Sequence, residues 1–534
     1  MSDSAQTHHE AEWRPKHNPW AIALTVTLAT FMEVLDTSIA NVALPHIAGS
    51  LGASQEEATW VLTSYLVSSA IVLPISGWLS NRIGRKRFYM TCVALFTICS
   101  LLCGLAPTLP LLIVARILQG AGGGGLAPSE QAILADTFSV EKRGQAFALY
   151  GTAVVIAPAI GPTLGGYITD NFNWHWIFFI NLPIGLLSLW LSNRMVEDPP
   201  KMKALTHIKA PVDFTGLALV AGGVGCLEFF LDKGQEKDWF GDPMIRSVAI
   251  IAAILLIAFV LWEWHHPDPI VDLKLLKNRN FGTAVFLQLI LGMVLFGSTV
   301  LIPQYLQGLL GYTAERAGMV LSPAGFIMMF GMAIAGRSLT WKIDPRLTVC
   351  LGYLATAAGI WNLTRLSLDT SFGTVTMWRM IQVIGLPFIF IPISTLNYVG
   401  VPRSKSNQIS SLSNFARNLG GSAGTALLTT FLARTSQTHQ VQLASNTGVG
   451  SVGYATYIAS VSTTFRNQGM NAAAAAQSAV AFAYQQMLRQ ASMLSYKNAF
   501  FVLSVSIFCL APLPFIMRLP DKTQKPAPEE LAAH

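Results

Sequence analysis

Glu33 and Asp36 stand three residues apart in an apolar run that begins near Trp20, and Arg116 stands in another that begins near residue 108. An ionisable group inside a bilayer is expensive, so it normally faces the bundle interior or a wet cavity and marks an ion or substrate path. Spacing of three puts the two carboxylates on one helical face, where a low dielectric disfavours charging both at once. Such a pair can take up and release a proton. At 1.5 Å per residue, Asp36 lies about 24 Å from the start of its span and Arg116 about 12 Å from the opposite face, so the two fall within about one turn of each other. Arg116 is the expected counter-charge. The same placement also fits a buried ion pair that only fixes packing. Glu130 and Glu228 are secondary candidates, each near a span end where a carboxylate reaches the interface and stays solvated. None of the 10 histidines falls well inside an apolar run, which leaves carboxylates as the expected proton carriers.

Other chemistries lack their residues. There is no Gly-Lys dipeptide, hence no phosphate loop for ATP. Gly120, Gly122 and Gly125 satisfy G-x-G-x-x-G, but they stand in an apolar helical setting with no preceding strand, where glycines permit close helix approach instead. The 6 cysteines lie in apolar segments without a C-x-x-C pair, so neither a disulfide frame nor a zinc site is expected. No H-E-x-x-H occurs, nor a G-x-S-x-G elbow with suitable His and Asp partners. The chain is expected to be no enzyme, to hold no metal and no cofactor, and to draw on a proton gradient.

The elements that must position these residues are membrane spans. Of 534 residues, 52% are hydrophobic and 12% charged, where a soluble domain carries about 25% charged residues. Apolar runs of about 20 residues, each enough to cross a core of roughly 30 Å, recur along the chain. About fourteen are expected, starting near 20, 59, 88, 108, 145, 176, 213, 244, 281, 315, 347, 374, 416 and 497. A net charge of +7 alone would suggest nucleic acid, but the basic residues cluster in loops of one side, led by Arg82, Arg85, Lys86 and Arg87. The charge therefore reads as topology, with both termini cytoplasmic and no nucleic-acid partner. The first span is long and lacks a small-residue cleavage site, so it reads as an uncleaved anchor.

Arg116-x-x-Gln119-x-x-Gly122 recurs as Arg379-x-x-Gln382-x-x-Gly385, each in the fourth span of a six-span half. The expected organisation is six plus two plus six: a tail at 1–19, a bundle at 20–198, an inserted pair at 213–264, a second bundle at 281–517 and a tail at 518–534. Within the second bundle a polar stretch at about 434–496, containing the run Ala472 to Ala476, is expected on the periplasmic side. It is either a surface loop with one or two amphipathic helices or a docking surface for a partner. Asn41, Gln119, Gln131, Arg379 and Gln382 are polar residues within spans and are candidates to line a substrate cavity. Gly161-Pro162-x-x-Gly165-Gly166 combines a small-residue packing face with a proline that frees a backbone carbonyl.

Several motifs in order resemble the major facilitator superfamily, in its fourteen-span drug:proton antiporter branch of EmrB/QacA type. They are Leu35-Asp36-Thr37 leading to Asn41-Val42-Ala43-Leu44-Pro45, then Gly77 to Arg87 with Arg82, Gly84 and Arg85, then Arg116-x-x-Gln119-Gly120, then Gly161-Pro162. Trp174-His175-Trp176-Ile177-Phe178 with Asn181-x-Pro183, Asp238-Trp239-Phe240, Val271-Asp272-Leu273 and Ser410-Ser411-Leu412-Ser413-Asn414-Phe415 are similar to the EmrB subgroup. The chain departs from the family at Asn81, where the second-loop motif usually carries an acid. Glu33 is not part of the family motif.

The resemblance implies an all-α polytopic protein of the bacterial inner membrane that exports small lipophilic compounds against protons by alternating access of two halves. It further implies a periplasmic adaptor (EmrA-like) and an outer-membrane channel (TolC-like). Two other readings remain: an uptake carrier on the same fold, and a membrane scaffold without transport. A scaffold would not need charges at mid-membrane.

Overall fold

The computed structural model describes residues 15–198, 212–339, 343–402, 405–445 and 451–518. The expected tails at 1–19 and 518–534 lie outside these, apart from residues 15–19 and 518. Helices and their connections make up all of the described residues. The first bundle is α1 (Pro19–Leu51), α2 (Gln55–Ile83), α3 (Arg85–Gly104), α4 (Leu109–Thr137), α5 (Val140–Asn171) and α6 (Trp176–Met195). Beside it stand α7 (Phe214–Lys233) and α8 (Pro243–His265). The second bundle is α9 (Arg279–Gly308), α10 (Ala314–Ser338), α11 (Pro345–Leu363), α12 (Phe372–Leu396), α13 (Ser406–Ala444) and α15 (Ala472–Leu510), with α14 (Val452–Asn467) lying against α15.

Local chemistry sets where several of these begin. Asn18, Asp242 and Asp344 each accept from a backbone N–H of the first turn, and each is followed by a proline, whose missing N–H costs nothing at that position. Twelve described helices are long and apolar enough to cross a bilayer; α11 and α13 complete the fourteen.

Within the first bundle α1 packs on α5 and α6, and α4 on α2 and α3; in the second, α9 packs on α13, and α11 on α12 and α15. The bundles meet where α5 lies along α10 and where α2 and α4 abut α13. The pair α7 and α8 rests on α2 and reaches α13, through Thr63 donating to Asp232 at 2.6 Å and Trp239 donating to Thr430 at 2.9 Å. Ile250, Ile254, Ile257 and Leu261 of α8 are exposed, as a lipid-facing surface requires.

The polar stretch expected at 434–496 is mostly helix. α13 and α15 each have 39 residues, about 58 Å, roughly twice a bilayer core. They therefore continue past the membrane as polar helices, and α14 packs on α15 with Phe465 against Phe482 at 6.2 Å. The spans expected to start near 416 and 497 begin instead at Ser406 and Ala472. Hydropathy marks the length in lipid, and these helices outrun it. Residues 446–450, also within the expected stretch, lie outside the described residues.

Candidate functional site

A charge in a dry bundle must find an opposite charge and further hydrogen bonds. Asp36 of α1 and Arg116 of α4, with side chains 1% and 0% exposed, do both. Arg116 Nη1 donates to Asp36 Oδ2 at 2.6 Å and to Gln119 Oε1 at 2.8 Å, while its Nε donates to the Val61 carbonyl at 3.0 Å. Asp36 Oδ1 accepts from Asn181 Nδ2 at 2.7 Å and from Gln119 Nε2 at 3.2 Å. The Tyr65 ring faces the guanidinium at 4.4 Å from its centroid. One residue each from α1 and α6 and two each from α2 and α4 thus meet on a single carboxylate and its partner. Adding a proton to Asp36 would leave Arg116 with neutral partners only, so the charge state of one side chain bears on the packing of four helices.

Helices approach this closely because small residues line the seams. A side chain at Gly120 would run into the Tyr65 backbone of α2, and one at Gly122 into Phe96 of α3. Gly161 and Gly165 of α5 face Ser38 and Ile39 of α1, next to the carboxylate. Gly166 faces no atom within 4 Å, so the double glycine has one packing member and one free one.

A family model described as the Major Facilitator Superfamily matches residues 26–425. The chain belongs to that superfamily. The multidrug export protein EmrB of Haemophilus influenzae is 40% identical over 423 residues, 79% of this chain and 82% of that protein. The fatty acid resistance protein FarB of Neisseria gonorrhoeae is 39% identical over the same length and shares. These place the chain in the EmrB-like branch of the superfamily, a multi-pass transporter of the bacterial inner membrane and not an enzyme. Among solved structures, the proton:xylose symporter XylE has a TM-score of 0.57 at 15% identity, covering 92% of this chain and 96% of that one, a likeness of fold.

The other candidates of this superfamily member fall into separate places. Glu33 is not hydrogen-bonded to the ion pair: its carboxylate accepts from the Tyr65 hydroxyl at 3.4 Å, and the Tyr65 ring in turn lies against Arg116. Glu130, expected at the interface, is fully buried, with Thr27 Oγ1 donating to it at 2.6 Å and the Thr30 hydroxyl donating to its second oxygen. Glu228 is also buried, beside Ser422 of α13. Both corrections have one cause. Each carboxylate is turned toward a packed neighbouring helix, α1 for Glu130 and α13 for Glu228. Asn41 is exposed on α1, and Gln131 accepts from Asn414 of α13 at 2.8 Å. Arg379 and Gln382 stand in the second bundle, with Arg379 Nη1 donating to Gln382 Oε1 at 2.7 Å.

The second-loop residues lie where the bundles meet at the cytoplasmic end. Gly84 ends α2 at φ 98°, a conformation that a side chain would strain. Arg85 is buried, donating to Asp136 at 2.6 Å and to the Ala132 carbonyl at 3.0 Å, and Asp136 accepts in turn from Ser406 of α13 at 3.2 Å. Arg82 lies over the Trp78 ring at 5.2 Å. Gly77 abuts the backbone of Asn407 and Gln408. Asn407 donates to Asn81 at 2.6 Å, so an amide pair stands where the family usually has an acid. Sequence reasoning missed Asn181, Asp136, Asn407 and Arg417. The last is buried in α13, donates to Asn414 at 2.5 Å and Tyr150 at 3.3 Å, and lies over Phe390 at 5.5 Å. Its signal, a cation within a span, emerges only once α13 is started at Ser406.

Proposed function

We propose that this chain exports small lipophilic or amphipathic compounds across the inner membrane in exchange for protons, with Asp36 as the main proton carrier and Arg116 as its counter-charge. The observation that carries this reading is the Asp36 network itself: a buried carboxylate whose charge holds four helices and whose neutralisation would release them. Its relatives are named for multidrug export and fatty acid resistance, which supports export over uptake. The proton gradient is the only energy source the reading needs.

The bundles are tied at their cytoplasmic ends through α2, α4 and α13. A cycle then follows in which Asp36 is protonated from the far side, the bundles rock about the α5 and α10 seam, and the proton leaves to the cytoplasm as cargo is carried outward. In this reading Glu33, near Tyr65, passes a proton toward the pair, and Asn41, Gln119 and Gln131 line the first bundle's side of the path. Gly161 and Gly165 give α5 its close packing on α1, and Pro162 faces Gly318 of α10, so that α5 would couple Asp36 to the rocking seam.

The protruding ends of α13 and α15, with α14, fit a periplasmic adaptor, which in turn would lead to an outer-membrane channel. Val441, Val452, Val480 and Tyr484 are among the exposed apolar residues of this projection, which supports a partner surface.

The reading is tested with inverted membrane vesicles, where an inward-acid gradient should drive accumulation of a lipophilic dye. Asp36→Asn should abolish accumulation while the protein remains folded in the membrane; unchanged accumulation overturns the assignment. Replacing residues 446–469 by a short linker should leave accumulation in vesicles intact and abolish co-purification of the adaptor. Retained co-purification would remove the adaptor from the proposal.

A further inference from the structure

The two halves carry the same Arg-x-x-Gln pair at the same depth, since Arg116 and Arg379 each stand seven residues after the first residue of their helix, Leu109 and Phe372. In both, the arginine donates to the glutamine three positions on in the motif, at 2.8 Å in the first half and 2.7 Å in the second. What they face differs. Arg116 meets the carboxylate of Asp36 on the first helix of its bundle, whereas Arg379 meets only hydroxyls on the first helix of its own, Ser298 and Thr299, each at 3.3 Å.

Three consequences follow for the second half. Arg379 is 6% exposed, and among the described residues no carboxylate lies within ion-pair reach of it. Gln382 Nε2, whose counterpart in Gln119 donates to Asp36, has no acceptor among the described residues. Arg379 Nε, whose counterpart in Arg116 donates to Val61, has none either. A buried cation whose partners are all neutral, two hydroxyls and the Gln382 oxygen, is a costly arrangement, and with two further donors left over the site suits an anion.

The geometry points to Arg379, Gln382, Ser298 and Thr299 as a binding subsite for the anionic head of an exported amphiphile, with a carboxylate as the head group. This rests on the export reading and names one class of cargo for it. The first half holds a resident carboxylate that exchanges its proton; the second half takes its carboxylate from the cargo. An oxygen pair placed there would accept from Arg379 Nε and Gln382 Nε2 as a bidentate guest, with the apolar chain left outside the subsite. A cationic amphiphile of the same length gains nothing from this site, so the subsite sets head-group preference without setting chain preference.

The test is equilibrium binding of radiolabelled decanoate to the purified full chain in nanodiscs, with decyltrimethylammonium as the cationic control. Arg379→Gln should weaken decanoate binding at least tenfold and leave the cation unaffected. Ser298→Asp supplies the second half with the carboxylate it lacks, so it should pair with Arg379, raise the thermal midpoint and also abolish decanoate binding. An equal loss for both ligands in Arg379→Gln, or undiminished decanoate binding in Ser298→Asp, overturns the subsite. Binding of radiolabelled chloride that is lost in Ser298→Asp while decanoate binding persists would assign the site to an inorganic ion and overturn the cargo reading. No proton gradient enters the assay, so these failures leave the Asp36 experiment standing, and failure of export in Asp36→Asn vesicles is read without them.

Discussion

Asn407 of α13 donates its side-chain amide to the Asn81 oxygen of α2 at 2.6 Å, which joins the two bundles at their cytoplasmic ends. Ser411 adds a second tie, donating to the Leu73 and Pro74 carbonyls at 2.5 and 3.0 Å. An amide pair does not titrate, so this join holds at any pH at which the fold holds. Asn407→Ala should lose one buried hydrogen bond, about 1 kcal/mol, and shift the population toward the cytoplasm-open state about fivefold. Maleimide labelling of a cysteine placed at Ser80, in a background without the native cysteines, reads that shift. An unchanged labelling rate would show that the amide pair does not hold the gate.

The Asp36 and Arg116 pair makes its own prediction about stability. Removing one partner leaves a buried charge alone and costs about 3–5 kcal/mol, while replacing both by neutral groups of similar size costs far less. Asp36→Ala and Arg116→Ala should therefore each lower the thermal midpoint of the detergent-purified protein, and Asp36→Asn with Arg116→Gln should recover most of it without restoring transport. A double variant that still transports would mean that the pair only fixes packing.

The helices of the membrane were legible in the sequence because apolar length and caps both mark them. Starts expected near 20, 244, 347 and 374 fall at Pro19, Pro243, Pro345 and Phe372. α13 and α15 were not legible in this way. Their polar turns continue a helix that the bilayer no longer requires, and hydropathy cannot see them. The pairing of Asp36 with Arg116 could be read from depth alone, since both are costly charges at one level. Asn181 could not be read so: a neutral amide carries little penalty that would single it out, and it was visible only as part of a subgroup motif. The burial of Glu130 escaped for the same kind of reason, because Thr27 and Thr30, which satisfy it, belong to another helix.

Glu130 is held by two hydroxyl donors from α1, and its role differs from that of Asp36. Glu130→Gln replaces an acceptor by a donor beside Thr27 or Thr30 and leaves one hydroxyl without an acceptor. Stability should fall by about 1–3 kcal/mol, measured by fluorescence-monitored unfolding in detergent, with gradient-driven accumulation retained. Lost accumulation at an unchanged midpoint would move Glu130 into the proton path.

Two glycines test whether the bundle seam, rather than helix flexibility, is what the small residues serve. A Cβ at Gly77 would lie 2.9 Å from the Asn407 carbonyl oxygen and 2.9 Å from the Gln408 Cα, both backbone atoms that cannot rotate away. A Cβ at Gly166 would meet nothing within 4 Å. If the glycines served mainly to soften their helices, alanine should act alike at both, since each substitution removes the same backbone freedom. If close approach is the reason, Gly77→Ala must push α2 and α13 apart and weaken the cytoplasmic closure, while Gly166→Ala changes little. Dye accumulation in inverted vesicles should drop more than about tenfold for Gly77→Ala, a barrier change of about 1.4 kcal/mol, and stay near the parent level for Gly166→Ala. Equal losses would instead assign both glycines to helix bending.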